Sequence, residues 1–343
     1  MRSLLRPLAL AVAVPLFALT ACGSGDSTEP AAGGGSAGSE TGAFPVSIEN
    51  KFGTAEIKQA PQRVVSVGLV EQDALLALDV VPVGTTEWFG EKPGALFPWA
   101  KDKLGDRALP TVLKDKDGIQ FEQIAALRPD LIVGLYSGIT AADYQKLSAI
   151  APTVAQPAGV PDYGVSWQEV ARTVGQAVGK PKQADELVKG IEQRFATVRA
   201  EHPEFQGKPA LMATPYEGYF VYGSQDPRSR LLTDLGFSLP SGLDAQIGDK
   251  FGANISAERI KLLDQQALVW FPTKGGTSKL QNDPLYKNLP VRTQGRDVFV
   301  EENYDDPLYG ATSFVSVLSL PIVLDQLVPK LKAAVDGDPA TTA

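Results

Sequence analysis

Aromatic rings and an arginine are the groups in this sequence whose type and spacing predict chemistry. The chemistry is ligand binding, because rings bury apolar surface while tyrosine hydroxyls and arginine forks bond oxygen atoms. Ligands of open α/β sheets lie beyond the carboxyl ends of the strands, so side chains at predicted strand ends are the candidates. These are Trp88, Trp99, Tyr136, Trp270, Tyr304 and Tyr309, with Phe89 and Phe271 beside two of them. The alternative for each ring is a place in the core.

Composition excludes several kinds of catalyst. The 343 residues contain one His and one Cys, so a zinc site of those ligands and a disulfide within the chain are excluded. A Ser-His-Asp hydrolase would have to use His202. The formal net charge of -8, without a basic tract, argues against nucleic acid as a partner. The carboxylates Glu301, Glu302, Asp305 and Asp306 leave a tethered extracellular hydrolase as a rival function.

The first residues resemble the leader of a bacterial lipoprotein. Arg2 and Arg6 precede an apolar run over 8–19, and the run closes with Leu19-Thr20-Ala21-Cys22, which resembles a lipobox. Residues 1–21 are then a signal peptide, and Cys22 carries the lipid that anchors the protein to the outer face of the cell membrane. Residues 22–43, rich in Gly, Ser, Ala and Thr, are predicted to be a flexible tether. The alternative is an ordinary secretory signal.

The body of the chain predicts two α/β lobes over residues 44–180 and 203–343, because strand-like runs alternate with helical patterns. We expect an opening hairpin over 44–57 and strands over 63–67, 80–85, 130–135 and 153–156. Apolar residues from Ala184 to Val198 recur at helical spacing, so 181–202 is predicted to be one long helix that bridges the lobes. A surface helix within one domain is the alternative.

An internal repeat supports duplicated architecture. Identical or similar residues recur at six pairs of positions, and the two positions of each pair are 136 residues apart (for example 255 − 119). The first set is Ile119, Glu122, Ile124, Leu127, Ile132 and Val133, and the second is Ile255, Glu258, Ile260, Leu263, Leu268 and Val269. Each set is predicted to form a short helix followed by a strand.

Two stretches carry a family resemblance. The segment 124–133, IAALRPDLIV, and the segment 283–291, DPLYKNLPV, followed by Gly295-Arg296, resemble the lobe signatures of the iron-siderophore and cobalamin binding proteins of ABC importers. Tyr286 stands where that family usually has Trp, and we expect it to be structural at a helix start. The resemblance spans about Phe44 to Leu331. It implies a pair of Rossmann-like lobes bridged by one helix, with the ligand in the cleft.

The resemblance also implies roles. The protein is expected to be a monomer without catalytic activity or intrinsic cofactor. The resemblance implies that it captures a ferric siderophore, which itself holds the iron, and delivers it to the subunits of an ABC permease. Arg228, before a predicted helix over 231–235, is expected to face the ligand, the alternative being a solvated arginine; Lys114 and Lys116 are weaker candidates.

Docking and ligand identity leave alternatives open. Asp73 matches the first-lobe position that presents a carboxylate to the permease, although the dipole of its helix could equally explain it. The second-lobe position holds Ser238, and Asp244 or Asp249 could substitute for it. Haem bound through a tyrosine is the rival ligand on the same fold.

Overall fold

The computed structural model describes residues 38–87, 91–116, 118–338 and 340–341. Strands and helices alternate along them, as the sequence predicts. Before the long central helix the elements are β1 (Val46–Asn50), β2 (Gly53–Ile57), β3 (Val64–Ser66), α1 (Glu71–Ala77), β4 (Gly84–Glu87), α2 (Lys101–Leu104), β5 (Thr111–Lys114), α3 (Phe121–Ala126), β6 (Leu131–Gly134), α4 (Ala141–Ser148), β7 (Thr153–Ala155) and α5 (Trp167–Ala177), with 3-10 turns at Pro93–Ala95 and Pro98–Ala100.

The sheet of the first lobe has the order β5-β4-β3-β6-β7, with every neighbouring pair parallel. The central strands β3 and β6 are buried along their whole length, which explains their continuous apolar and β-branched runs. The strand predicted from Val80 begins only at Gly84, because Val80 is still in the turn that closes α1, where its N–H bonds the carbonyl of Leu75. The predicted hairpin is formed by β1 and β2.

The long helix α6 (Pro181–Glu201) begins at the predicted residue and ends one residue before the predicted end, where His202 is its C-cap. Pro181 occupies its first turn, where a missing N–H costs nothing, and Ala184, Val188 and Phe195 form its buried stripe. At about 1.5 Å per residue it is about 30 Å long. Glu40 caps it, since the Oε1 atom of Glu40 accepts the N–H groups of Lys182 and Gln183 at 2.9 and 3.1 Å. The end of the predicted tether is therefore bound to this helix, whereas residues 22–37 lie outside the described residues.

The second lobe follows α6. Its elements are β8 (Ala210–Thr214), β9 (Tyr219–Tyr222), α7 (Pro227–Asp234), α8 (Leu243–Ile247), β10 (Gly252–Ile255), β11 (Ala267–Trp270), α9 (Thr277–Gln281), α10 (Pro290–Thr293), β12 (Asp297–Phe299), α11 (Pro307–Ser313) and α12 (Leu320–Val335), with 3-10 turns at Pro203–Phe205 and Ala257–Leu263. The helix predicted over 231–235 starts earlier, at Pro227, because Asp226 caps it. The helix predicted to begin near Asp283 is a turn instead, in which Asp283 accepts the N–H groups of Leu285 and Tyr286.

The second sheet has the order β10-β9-β8-β11-β12. The pairs β8–β11 and β11–β12 are parallel, whereas β8 and β9 form an antiparallel hairpin. β6 and β11 occupy equivalent places in the two sheets, and their bounds differ by 136 residues (267 − 131). The repeat read from the sequence is therefore a repeat of structure.

Apolar side chains join the lobes at their base. Trp167 from α5 lies in the same buried cluster as Val188 of α6 and Leu320 of α12. On the other side, Phe314 after α11 packs on Phe97 of the first lobe, with 4.5 Å between ring centroids. Within the described part of the chain, no helix combines the length and apolar character needed to span a membrane.

Candidate functional site

A cavity of about 750 Å³ lies where the carboxyl ends of the two sheets face each other. The residues from the first lobe that line it are Val67, Leu69, Asp115, Gly118, Ile119, Tyr136, Ser137, Gly138, Ile139, Asp143 and Tyr163. Those from the second lobe are Thr214, Pro215, Tyr216, Phe220, Tyr222, Asp226, Arg228, Phe251, Thr273, Tyr309 and Ser313. Its size suits a small-molecule ligand, for which pockets are about 300–1,000 Å³.

The first wall is built around Tyr136, which lies two residues beyond the last residue of β6. The backbone N–H of Tyr136 donates to Oε1 of Glu71 at 2.6 Å, and Glu71 also accepts the N–H of Val70 at 3.1 Å. Glu71 is fully buried, and burial raises the pKa of its carboxyl despite these hydrogen bonds. The ring of Tyr136 meets the ring of Tyr163 edge to face at 5.7 Å. Burial raises the pKa of Tyr136, so its hydroxyl stays protonated and can donate to a ligand.

The second wall contains the aromatic face of β9. Phe220 and Tyr222 are two residues apart, so they lie on the same side of the strand, and their ring centroids are 5.3 Å apart. Phe251 packs against Phe220 at 5.7 Å, and Phe271 supports Tyr222 from behind at 6.3 Å. This surface is apolar and rigid, with the tyrosine hydroxyl as its polar group.

Arg228 lies on that wall and is held by a buried partner. Its Nε and Nη2 atoms donate to the two carboxylate oxygens of Asp226, both at 2.8 Å, and its guanidinium carbon is 4.0 Å from the centroid of the Tyr222 ring. The side chain of Arg228 is 16% exposed and that of Asp226 is 2% exposed. Burial opposes the charge, but the carboxylate of Asp226 outweighs it and raises the pKa of Arg228. The alternative of a solvated arginine is therefore wrong.

Tyr309, in α11, lines the cavity as predicted, and burial raises its pKa to about 12. Tyr304 stands behind it. Its ring meets that of Tyr309 edge to face at 5.6 Å, and its hydroxyl donates to Glu302 at 2.7 Å. Tyr304 is absent from the described lining of the cavity, so the structure gives it the place of a support for Tyr309 rather than a ligand contact.

The prediction that Trp270 lines the cleft is wrong. Its side chain is fully buried in the core of the second lobe, where its ring meets that of Tyr286 at 5.4 Å. Trp270 is the last residue of β11 rather than a residue beyond it, and alternation along the strand turns it into the core. The lining residue at this strand end is Thr273. Tyr286 is structural, as expected, and its hydroxyl donates to Asp297 at 2.6 Å.

The prediction that Trp99 contacts the ligand also fails in this structure. Its ring stacks on Phe97 with centroids 4.7 Å apart, and its Nε1 atom donates to Oδ2 of Asp73 at 2.7 Å. Trp99 therefore packs between the lobes, against Gly310 of α11, and is not among the described lining residues. Trp88 and Phe89 lie outside the described residues.

Asp73 cannot dock on a permease as predicted, because it is only 2% exposed. Its Oδ2 atom accepts hydrogen bonds from Trp99 and from Ser316 of the second lobe, the latter at 2.5 Å. Burial raises its pKa to about 6, although these hydrogen bonds act in the opposite direction. Ser238, at the corresponding position of the second lobe, donates to the carbonyl of Gly207 at 3.0 Å.

Sequence reasoning missed much of the aromatic lining. Of the large apolar side chains that the described structure leaves exposed, three line this cavity: Tyr163, Tyr216 and Phe251, which are 36%, 61% and 39% exposed. Tyr216 lies just beyond β8, so the rule applied to other strands would have found it. Phe220 and Tyr222 could have been found because they are alternate residues of β9 and therefore lie on the same face of the strand.

The carboxylates that suggested a hydrolase have structural partners. Glu301 accepts hydrogen bonds from Gly275 and Thr277, Asp305 pairs with Lys92 at 2.8 Å, and Asp306 caps α11. Among the residues that the structure describes, no cluster of three or more His, Cys, Asp or Glu side chains could hold a metal ion. Lys114 and Lys116 do not line the described cavity. The arrangement can enclose a ligand with rings and bond it through tyrosines and Arg228.

The chain belongs to the periplasmic binding protein family, whose model matches residues 64–299. A periplasmic solute binding protein from Mycobacterium smegmatis has a crystal structure that is 38% identical, with a TM-score of 0.74, covering 84% of this chain and 98% of that one. The iron-uptake ABC transporter substrate-binding protein of Streptococcus pneumoniae, solved with ferrichrome, is 27% identical, with a TM-score of 0.74, covering 85% of this chain and 99% of that one. The Fe(3+) dicitrate-binding periplasmic protein of Escherichia coli is 26% identical over 273 residues, covering 76% of this chain and 84% of the relative.

Proposed function

We propose that this protein captures a ferric siderophore in the cleft between its lobes and delivers it to an ABC importer for iron uptake. The observation that carries the proposal is the cavity of about 750 Å³. Tyrosines from both lobes and an arginine line it, and no metal-binding cluster occurs in the described structure. A siderophore brings its own iron ligands, so the protein needs only to bury the organic shell and bond its outer oxygens. The names of the relatives support a siderophore ligand and give no support to haem.

The function is tested by titrating the purified protein with ferric hydroxamate, catecholate and citrate complexes and with haem. Calorimetry and intrinsic fluorescence measure the binding in each titration. We expect saturable binding of at least one ferric siderophore and no turnover of it. Tyr222→Ala and Tyr309→Ala should each weaken that binding by roughly 1–3 kcal/mol, about 5- to 150-fold, because each removes an aromatic wall contact.

The matched control is Tyr286→Phe, which alters a tyrosine buried outside the cavity. It should lower stability through the lost bond to Asp297 and leave affinity unchanged. If none of the ferric complexes binds, or if the cleft variants bind as the control does, the proposed function is wrong. A haem complex with a Soret band and no siderophore binding would replace it with the rival ligand.

The proposal includes a lipid anchor at Cys22, which lies outside the described residues and rests on the leader sequence alone. It places the protein on the outer face of the cell membrane as a monomer. Cys22→Ala should release the protein into the medium or leave the leader uncleaved, as fractionation and mass spectrometry would show. Unchanged processing together with unchanged membrane association would rule the anchor out. Asp73 has no part in docking, because it is buried.

A further inference from the structure

The charged groups that line the described cleft carry a net negative charge. They are the carboxylates Asp115, Asp143 and Asp226 and the guanidinium of Arg228. The remaining lining groups are aromatic rings, aliphatic side chains, hydroxyls and backbone. A ligand that enters this cleft therefore exchanges water for a surface with more negative than positive charge.

Arg228 does not offset the carboxylates, because its charge is already paired. Both oxygens of Asp226 accept from it, at 2.8 Å each, in a bidentate arrangement. Such pairs act on their surroundings as neutral dipoles rather than as a free cation. The guanidinium also lies over the ring of Tyr222, 4.0 Å from its centroid, so part of its charge is directed at that electron-rich face. Arg228 can still donate a hydrogen bond from its Nη1 atom, but it does not make this wall cationic.

On the first wall, Asp115 and Asp143 both line the cavity. Burial, followed by the charge of Asp143, raises the pKa of Asp115. Asp143 belongs to the capping box of α4, in which its Oδ2 atom accepts from the backbone N–H and the hydroxyl of the N-cap residue Thr140. Of the lysines near this wall, Lys146 lies over the ring of Phe121, 4.7 Å from its centroid, and Lys51 pairs with Asp162 at 3.0 Å. Lys114 and Lys116 flank Asp115 in the sequence but do not line the described cavity.

We infer that the cleft selects ferric complexes that are neutral or cationic, the class formed by hydroxamates, over the anionic complexes of citrate and catecholates. This inference rests on the proposed function and adds the charge class of the ligand. Hydroxamates lose one proton each, so three of them cancel the charge of Fe(III), and an amine tail makes the complex cationic. Catecholates lose two protons each and leave the complex negative. The aspartates repel such a complex, while the tyrosine rings attract a cationic one.

The test compares dissociation constants for ferrioxamine B, a cationic trihydroxamate, for ferrichrome, a neutral one, and for ferric citrate and ferric enterobactin. The double variant Asp115→Asn/Asp143→Asn removes the carboxylates of the first wall, and the side-chain oxygen of asparagine at 143 can still accept the backbone N–H of Thr140 in the capping box of α4. The matched control Glu122→Gln/Glu258→Gln removes the same charge from exposed positions that do not line the described cavity. All measurements are made at about 0.01 M and about 0.5 M ionic strength, since salt screens exposed charges.

We expect wild type to bind both hydroxamate complexes more tightly than both anionic complexes at low salt. The cleft double variant should bind ferric citrate about tenfold more tightly than wild type and ferrioxamine B more weakly, whereas the control should change neither. High salt should narrow the wild-type preference.

If wild type binds an anionic complex more tightly and the cleft variant does not alter the ranking, the charge inference is wrong and the proposed function stands. If none of the complexes binds at either salt concentration, both are wrong.

Discussion

The guanidinium of Arg228 has a structural role as well as a place in the cleft wall. Its partner Asp226 is nearly completely buried and also caps α7 by accepting the backbone N–H of Arg228 at 2.8 Å. A buried carboxylate left without its partner is costly, because neither water nor another cation replaces the lost bonds. The same residue therefore affects both ligand affinity and the stability of the empty protein.

Arg228→Ala is expected to lower the free energy of unfolding of the empty protein by about 3–5 kcal/mol. It should weaken ferric-siderophore binding as well. Arg194→Ala is the control, since Arg194 forms a half-exposed pair with Asp325 and should cost less than about 1 kcal/mol. Urea denaturation measures the free energy of unfolding of both variants. A loss at Arg228 no larger than that at Arg194 would show that the buried pair does not stabilise the fold.

A second variant separates the pair from the single arginine. Asp226→Asn/Arg228→Ala removes the buried charge along with its partner, and asparagine keeps the cap of α7. It should be less destabilised than Arg228→Ala alone, by about 1–3 kcal/mol. Equal stabilities of the single and double variants would contradict the pairing argument.

The direction of each side chain explains why the sequence predicts some site residues correctly and others wrongly. Tyr136 follows the end of β6, Tyr309 lies in the first turn of α11, and both line the cavity. Trp270 is one residue too early, so the pleat of β11 directs it into the core. Tyr222 was missed because β9 runs antiparallel to β8, and the rule for parallel strand ends does not consider its face.

At the scale of elements, one buried carboxylate joins the ends of β3 and β6 to the start of α1. Glu71 accepts the N–H of Tyr136 and lies directly over Gly68, the second residue after β3. A Cβ atom at Gly68 would lie 2.1 Å from Oε1 of Glu71, so a side chain cannot be added without moving that carboxylate. The position of Tyr136 in the cleft thus depends on Gly68 having no side chain, because that leaves room for the carboxylate of Glu71.

Gly68→Ala is expected to displace Glu71 and with it Tyr136, which should lower both stability and ligand affinity by about 1–3 kcal/mol. Gly190→Ala is the control. Gly190 lies in α6, where an added Cβ atom would have no neighbour within 4 Å, so alanine there should stabilise the helix by about 0.5–1 kcal/mol and leave affinity unchanged. Melting curves and ligand titrations on both variants check this. Wild-type affinity in Gly68→Ala would refute the link between Glu71 and the cleft.

Elements with a strong local signal were predictable, and their connections were less so. The periodic stripe and Pro181 gave α6 its bounds, and the offset of 136 residues located equivalent helix–strand units. The repeat does not extend to the neighbouring strands, because β3 and β4 are parallel and joined through α1 whereas β8 and β9 form a hairpin. The start of β4 was misjudged because Val80 is apolar for packing beneath α1, not for pairing in the sheet.

At the scale of the whole molecule, polar contacts cross between the lobes beside the cleft. Asp73 of α1 accepts from Ser316, Lys92 pairs with Asp305 at 2.8 Å, and Arg230 of α7 donates to the carbonyl of Gly164 at 2.6 Å. The contact through Asp73 is the buried one. A buried ionisable group therefore takes part in a contact between the lobes.

The pKa of Asp73 is raised from 3.8 to about 6, so the folded protein favours its protonated form. Folding then takes up a proton between those pH values, and the contribution of this group to stability falls as pH rises through that window. Asp73→Asn should remove about 3 kcal/mol of this pH dependence between about pH 4 and pH 7. Glu71, whose pKa is also raised, is unchanged in both proteins, so the difference isolates Asp73.

Urea unfolding of wild type, Asp73→Asn and the exposed-site control Asp102→Asn across this pH range is the measurement. The control should follow wild type. Identical pH profiles for wild type and Asp73→Asn would contradict a buried ionisable contact between the lobes.

The central claim, that a ferric complex is held between the rings of the two lobes, is tested most directly by locating the iron. A crystal structure of the protein with bound ferrichrome, with anomalous data collected at the iron edge, gives that position. The account predicts one iron peak inside the cavity, between Tyr136 of the first wall and Tyr222 and Tyr309 of the second, with no protein atom as an iron ligand. An iron peak outside this cavity, or one coordinated directly by side chains of the protein, would contradict it.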